Sequence, residues 1–314
     1  MSEIEISIVI PVYNSSSIIE ELHKHISNAL SVSYEIIFVN DCSKDDSWQK
    51  IISLSNHHPA ITGINFRKNS GQDNALLAGL RITKGNYCVI MDDDLQHDPN
   101  DIFKLYTECK KGYDVCYANF ITHKQSAIKN IGSSANGKMA ELLVSKPKGI
   151  YLSPFKIINR STVSEIAKFA GPYPYIDGII LTITQNLSQI DVEHKPRLSG
   201  KSNYTFSKSV SVFMKLFTGF SVLPLRLATI TGCIATFTGF ILLLKYLYDY
   251  YIAKNFIEGW TTVVVLIILF GGLILITLGI IGEYIGRMYL TLNNKPQYSI
   301  SEIVKSEQNI ISSK

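Results

Sequence analysis

With 314 residues, the chain is longer than the ~250 residues at which a single hydrophobic core usually stops growing, so two structural units are expected. Hydrophobic residues make up 46% of it and charged residues only 18%, below the ~25% usual for globular proteins, which excludes a disordered chain and a collagen-like repeat. Thirty basic against 26 acidic residues leave a net charge of +4, too small a surplus to mark a nucleic-acid surface.

Up to about Arg197, short β-rich runs alternate with helical stretches, the pattern of a parallel sheet covered on both faces. In chain order the spacing predicts a strand over 6–13 and a helix over 17–30 that opens with the capping box Ser17-Ile18-Ile19-Glu20. A strand over 35–40, a helix over 43–54, a strand over 61–66, a helix over 72–83 and a strand over 87–91 follow. Later strands are expected over 114–120 and 155–159, and later helices over 161–169 and 178–187. Cys42, Cys88, Cys109, Cys116 and Cys233 form no C-x-x-C pair and have no His at zinc spacing, so they are read as reduced and mostly buried. Met1 to Ile6 lack the basic n-region and small-residue cleavage site of a signal peptide. The first unit is therefore expected in a reducing cytoplasm.

Composition changes near residue 205. Residues 227–244 and 259–282 contain no charged side chain, and at ~1.5 Å per residue each run approaches or exceeds the ~30 Å of a bilayer's hydrocarbon core. The alternative is a pair of buried helices in a large soluble core. Between the runs crowd Tyr246, Tyr248, Tyr250, Tyr251, Phe256 and Trp260, as aromatics do at a membrane interface. The outer flanks carry Lys208, Lys215, Arg226, Arg287 and Lys295, so the positive-inside rule places both termini in the cytoplasm. Ahead of the first run, Val210, Phe213, Met214 and Phe217 fall at helical spacing with Lys208 and Lys215 off the stripe, the pattern of a helix in the headgroup plane or of a core helix. The expected organisation is a catalytic domain over 1–205, an interfacial helix over 206–222, a two-helix membrane domain over 223–290 and a cytoplasmic tail over 291–314. That tail shows no motif after Tyr298 and is expected to be mobile.

Ligands of an open parallel sheet bind at the carboxyl ends of its strands. No G-x-G-x-x-G follows the first strand, which argues against a dinucleotide cofactor. Carboxylates follow the strands instead: Asp41 after the second, and Asp92, Asp93 and Asp94 after the fourth. Asp92 and Asp94 alternate at strand spacing and share a face. Two carboxylates that close repel each other unless a cation lies between them, and Mg²⁺ or Mn²⁺ suits oxygen ligands. A calcium loop of the EF-hand kind fails, because its Gly and Glu positions hold His97 and Phe103. Asp93 is expected to face away from the metal and accept from the backbone. An ion held by so few protein ligands completes its shell with substrate phosphates, which points to a nucleoside diphosphate. Asp41 is placed either to accept from a nucleobase N–H or to cap the next helix. Asn69-Ser70-Gly71-Gln72 opens a helix, so Gly71 and Gln72 either present backbone N–H groups to phosphate or form a plain left-handed turn. Asp177 is either a carboxylate on the acceptor side or a helix cap.

Ile10-Pro11-Val12-Tyr13-Asn14, Val39-Asn40-Asp41-Cys42-Ser43-Lys44-Asp45 and Met91-Asp92-Asp93-Asp94-Leu95-Gln96-His97 resemble the successive motifs of glycosyltransferase family 2, with the GT-A fold. The polyprenyl-phosphate glycosyltransferases are the subgroup it is most similar to. The likeness extends to Arg197-Leu198-Ser199-Gly200-Lys201-Ser202-Asn203-Tyr204 and to Gly282-Glu283-Tyr284-Ile285-Gly286-Arg287. The resemblance implies that Asp41 contacts the nucleobase, that Pro11, Tyr13, Asn14 and Asp93 line the donor, that Asp92, Asp94 and Gln96 surround the metal, and that Arg197 and Ser202 handle phosphate. It also implies inversion at the sugar carbon, a homo-oligomer, and a UDP-linked hexose donor with undecaprenyl phosphate as acceptor at the inner membrane. Two positions depart from the pattern: Ser15 stands where relatives often have Glu, and Asn203 where several have Lys.

A lipid phosphate is already anionic, so this nucleophile needs positioning more than a strong base. Arg197 with Lys201 is the expected clamp on it, or else ordinary positive-inside charge. Glu283 and Arg287, four apart, pair along the helix or meet the headgroup. Two rival functions are a non-catalytic, membrane-anchored sugar-nucleotide-binding protein and a processive polysaccharide synthase. The synthase lacks support, because Trp48 and Trp260 do not follow an Arg.

Overall fold

The computed structural model describes residues 4–121, 147, 149–193, 223–251, 259–293 and 296–306. Two compact units divide the chain, Met1–Ser209 with Pro296–Lys314, and Val210–Lys295. The sheet unit runs β1 (Ile6–Val12), α1 (Ile19–Ala29), β2 (Tyr34–Asn40), α2 (Ser47–His57), β3 (Ile61–Phe66), α3 (Gln72–Ile82), β4 (Tyr87–Ile90), α4 (Asp101–Cys109), β5 (Val115–Ile121), β6 (Lys156–Asn159), α5 (Arg160–Ala167), α6 (Ile176–Ile183) and β7 (Leu187–Glu193). After the second unit, made of α7 (Leu223–Tyr251) and α8 (Trp260–Leu292), the chain returns to it as β8 (Ile300–Lys305). The strands form one sheet in the order β7-β5-β6-β4-β1-β2-β3-β8. β6 runs against β4 and β5, and β8 runs against β3; the other pairings are parallel.

Every residue of β1 is buried, as a central strand covered on both faces requires; its letters are accordingly an apolar run rather than an alternation. Pro11 sits inside that run. Val9 C=O accepts from Met91 N–H at 3.3 Å, so Pro11, two residues on, faces the same side, where β4 has already ended. Its missing N–H costs no ladder bond there. α1 buries Ile19, Leu22, His23 and Ile26, one face of an amphipathic helix. On α3, a Cβ added to Gly79 would lie 2.4 Å from Val9 Cγ1, so only glycine lets this helix approach β1 so closely. Cys88, Cys109 and Cys116 are buried, Cys42 is half-buried and Cys233 is exposed.

The strands over 6–66 and 87–90 and helix α3 lie where the sequence places them. The capping box does not form: α1 starts at Ile19 without a side-chain cap. Ser15 and Ser16 N–H donate instead to Ser47 Oγ and Asp45 Oδ2 at 3.0 Å each, and Glu20 pairs with Lys50 at 3.1 Å. α2 begins at Ser47 rather than at residue 43, because polar side chains compete for the backbone before it. Ser43 Oγ donates to Asn40 Oδ1, and Asn14 Oδ1 accepts from Lys44 N–H at 2.8 Å. α6 stops at Ile183, and β7, which lies at the sheet edge and is mostly half-buried, takes up the chain from Leu187. The tail after Tyr298 is not loose over 300–305. It is an edge strand in antiparallel register with β3, Ile64 opposite Ile303. Arg81 fastens the approach to it, donating to Tyr298 Oη (2.7 Å), Gln297 Oε1 (3.1 Å) and Phe169 O (2.7 Å). The interfacial helix expected over 206–222, and Arg197, Lys201, Ser202 and Asn203, lie outside the described residues.

In the two-helix unit, Leu225–Leu242 and Leu269–Leu292 are long and apolar enough to cross a membrane, and neither window has a buried residue. Ile234, Phe237 and Leu275 are 61–70% exposed. Helices packed in the core of this chain would bury such side chains. α8 runs on past Gly282 and carries Glu283 on an exposed stretch.

Two stability measurements follow. Val304 packs on the core from β8, so Val304→Asp is expected to cost about 2 kcal/mol, read as a fall of several degrees in melting temperature; unchanged melting would detach β8 from the sheet. The His23 ring lies 4.3 Å from that of His58, and burial, aided by the charges of His58 and Lys24, holds its pKa below the ordinary 6.5. Above that value the ring is neutral in folded and unfolded chains alike; as pH falls below it, the unfolded chain takes up the proton first and stability is lost. His23→Gln is expected to flatten the loss of melting temperature from about pH 7 to 5, and an unchanged slope would assign that loss to other groups.

Candidate functional site at the carboxyl edge of the sheet

Among the described residues, three non-glycine residues adopt left-handed backbone: Asn14 (φ 56°), Cys42 (φ 58°) and Leu95 (φ 57°). Each follows a strand at its carboxyl end, after β1, β2 and β4 respectively. Such conformations cost on the order of 1–3 kcal/mol and persist where the surroundings over-determine them, most often at functional sites. Gly71 (φ 93°) lies beyond β3, and a Cβ there would meet nothing within 4 Å. Backbone strain rather than crowding therefore keeps glycine at that position.

Asp41 leaves β2 with its carboxylate turned toward the start of α3. Oδ1 accepts from Ser70 N–H at 2.6 Å and Oδ2 from Gly71 N–H at 2.8 Å, while Asn69 Nδ2 donates to its carbonyl at 3.2 Å. Asp41 is thus no cap of α2; it binds the amides that precede α3. Burial pushes its carboxyl above the ordinary range, against the pull of those two amides. The Gly71 amide, considered above as a phosphate donor, is occupied by this carboxylate, as is that of Ser70.

β4 delivers the acidic loop. Gln72 Nε2, from the first turn of α3, donates to Asp92 Oδ1 at 2.8 Å, and Asp94 Oδ1 accepts from Gln96 N–H at 3.2 Å. Asp93 points elsewhere, as expected, accepting from Tyr13 N–H at 3.4 Å. Burial raises its carboxyl; the Ser15 hydroxyl and the Tyr13 amide oppose this, and the charge of Asp94 adds to it. Tyr13 is 47% exposed beside this loop, and Asn14 joins it to the loop after β2 through Ser43 Oγ at 2.9 Å. Pro11 does not join them: its ring is buried within β1, and its contribution is to the sheet.

His97 closes the loop. Its Nδ1 accepts from Asp92 N–H at 3.2 Å, and its ring, 4% exposed, stacks between Phe155 (4.9 Å, 7°) and Phe120 (5.5 Å, 10°). An accepting Nδ1 carries no proton, so the ring holds its hydrogen on Nε2. The sequence marks this residue as a failed calcium-loop position and the end of the acidic motif, without a role of its own. A second feature that it does not mark lies on β6, where Lys156, 2% exposed, is ion-paired with Asp177 Oδ1. Tyr117 Oη donates to the same oxygen at 3.0 Å. Asp177 stands in the first turn of α6 without capping it.

Among the described residues, no group of three His, Cys, Asp or Glu converges as a metal cage. The acidic loop offers two carboxylates, Asp92 and Asp94, and the Gln96 amide. That set is too sparse for a divalent ion by itself but suits one that shares its shell with phosphate oxygens.

Residues 7–167 match the family described as "Glycosyl transferase family 2". The chain is 30% identical over 303 residues to the uncharacterized glycosyltransferase YkcC of Bacillus subtilis, covering 95% of this chain and 94% of that protein. It is 30% identical over 318 residues to the undecaprenyl-phosphate 4-deoxy-4-formamido-L-arabinose transferase of Yersinia enterocolitica, covering 98% and 97%. Among solved structures, glucosyl-3-phosphoglycerate synthase of Mycobacterium tuberculosis, in complex with Mn²⁺, UDP-glucose and phosphoglyceric acid, shares the GT-A fold at a TM-score of 0.53 and 17% identity, over 68% of this chain and 79% of that one. Motif order, sheet topology and full-length similarity agree, and the chain belongs to glycosyltransferase family 2.

Proposed function

We propose that this chain transfers a hexose, with inversion, from a nucleotide sugar, UDP-linked by analogy with its relatives, to the phosphate of a polyprenyl phosphate at the cytoplasmic face of the inner membrane. One observation carries the lipid acceptor. β7 ends at Glu193 on the carboxyl edge, and the returning chain enters on that same edge, where Ser299 O accepts from Arg67 N–H at 2.8 Å just past β3. β7 therefore ends, and β8 begins, at the edge that bears Asp92 and Asp94. Relatives named undecaprenyl-phosphate transferases match along nearly the whole chain, helices included.

Connectivity also supports the topology. The segments on either side of the two helices belong to one compact unit, which favours an even number of crossings, and Lys208, Lys215, Arg287 and Lys295 favour the cytoplasmic side for both flanks.

In this reading Asp41 accepts from a nucleobase N–H through lone pairs left over by Ser70 and Gly71, and Tyr13 and Asn14 border the base. Asp92, Asp94 and Gln96 would hold Mg²⁺ or Mn²⁺, which when bound neutralises the diphosphate leaving group. Gln72 and His97 orient Asp92 from its side chain and its amide. The acceptor oxygen is already anionic and attacks the anomeric carbon without a dedicated base, while Arg197, Lys201 and Ser202 position its phosphate.

The test is transfer of label from UDP-, GDP- and dTDP-sugars to undecaprenyl phosphate by the detergent-solubilised protein, with and without Mg²⁺ or Mn²⁺. A metal-dependent, organic-extractable product is expected, and donor hydrolysis without lipid product would move the acceptor elsewhere. Asp92→Ala and Asp94→Ala are each expected to abolish transfer; near-wild-type turnover in either would sink the metal assignment. His97→Phe keeps the ring stack and removes the acceptor nitrogen, so it is expected to weaken Mn²⁺ binding about ten-fold, as loss of an outer-shell partner does. Unaltered Mn²⁺ affinity by electron paramagnetic resonance would reduce His97 to packing.

A further inference from the structure

Asp177 is held in an unusual way. Lys156 Nζ and Tyr117 Oη both donate to its Oδ1, whereas Oδ2 has no hydrogen-bond partner among the described residues. The Lys156 ammonium also lies 5.2 Å from the centre of the Tyr117 ring, and the phenol is fully buried. Burial, followed by the Asp177 charge, pushes that phenol well above its ordinary pKa, so it remains a hydrogen donor. A buried ion pair is a poor source of stability compared with apolar residues of similar volume. Here it leaves one carboxylate oxygen fixed and the other, on a side chain 15% exposed, open to a ligand.

The position of that oxygen along the sheet suggests its partner. Lys156 is in register with Ile90, the last residue of β4, and with Tyr117 of β5. Ile176 N–H meets Asp73 Oδ1 at 3.4 Å, one residue from the Gln72 that holds Asp92. Adjacent strands run β2-β1-β4-β6, about 4.8 Å apart. A donor whose base lies at Asp41 beyond β2 and whose diphosphate lies at the acidic loop beyond β4 carries its sugar onward, toward β6.

Building on the nucleotide-sugar reading above, we propose that Asp177 Oδ2 accepts a hydrogen bond from a hydroxyl of the transferred sugar, with Lys156 and Tyr117 as the positioning residues that hold this carboxylate. Asp177 is then a residue of sugar recognition rather than the acceptor's base. Tyr117→Phe removes one donor without stranding a charge and is the cleaner variant; Asp177→Asn removes the acceptor's charge.

The experiment is calorimetric binding to full-length protein in detergent with Mn²⁺, comparing UDP-glucose, GDP-mannose and dTDP-glucose with UDP, GDP and dTDP. The readout is the ratio of free-nucleotide Kd to sugar-nucleotide Kd for the donor that binds best. Asp177→Asn is expected to lower that ratio about ten-fold, the scale of one hydrogen bond to a charged group. Tyr117→Phe should lower it less, Lys156→Arg should retain more of it than Lys156→Met, and free-nucleotide binding should hold throughout. A ratio of one in the wild-type chain, an unchanged ratio in Tyr117→Phe and Asp177→Asn, or an equal loss of free-nucleotide binding would overturn the proposal. If the wild-type chain binds none of the six compounds, the nucleotide-sugar reading itself fails, and this inference fails with it.

Discussion

A sheet covered on both faces has no place for charge along its strands, and this exclusion organises the whole sheet unit. β1 and β2 are buried over nearly every residue, so ionisable groups collect at the two ends. At the amino edge they are tied off in structural bonds. Glu35 accepts from the Ser7 hydroxyl and the Lys84 amide, and Asp114 from Asn159 and Thr184. At the carboxyl edge the same exclusion delivers Asp41, Asp92, Asp93 and Asp94 into loops, where helices do not follow at once. Lys156 is the exception that supports the rule, since this buried side chain is ion-paired with Asp177.

Left-handed backbone is the second cost that this edge carries. Asn tolerates the conformation through its short polar side chain, but Cys42 and Leu95 have no such relief. Leu95 stays there because its side chain is buried while Asp94 accepts the next-but-one amide and His97 closes on Asp92. These bonds within the chain hold the loop in shape, which reduces the ordering cost of binding.

Much of this was legible in the letters. Short apolar runs rich in β-branched residues, such as those of β1 and β2, read as strands, and carboxylates at strand ends point to a cation. The failures share a physical cause: each depended on a partner distant in sequence. Ser17 and Glu20 fit a local cap, yet Asp45 ahead of the next helix and Ser47 and Lys50 within it bind Ser16 N–H, Ser15 N–H and Glu20 instead. β7 and β8 are half-exposed edge strands, whose assignment rests on a neighbour to pair with rather than on hydrophobicity. His97 and Lys156 become meaningful only when Phe120, Phe155, Tyr117 and Asp177 are brought around them.

The pairing of β8 with β3 has a consequence for how the protein is made. In vectorial synthesis β3 emerges early, whereas β8 emerges only after both apolar helices have left the ribosome. Until then the outer edge of β3 offers a row of unpaired amides and carbonyls, the kind of edge on which strands from other chains add. Synthesis of the two apolar helices thus falls between the appearance of β1 to β7 and the closure of their sheet by β8. A chain cut ahead of Pro296 keeps every acidic residue of the edge but remains at that open-edged stage, prone to self-association for reasons unrelated to its chemistry.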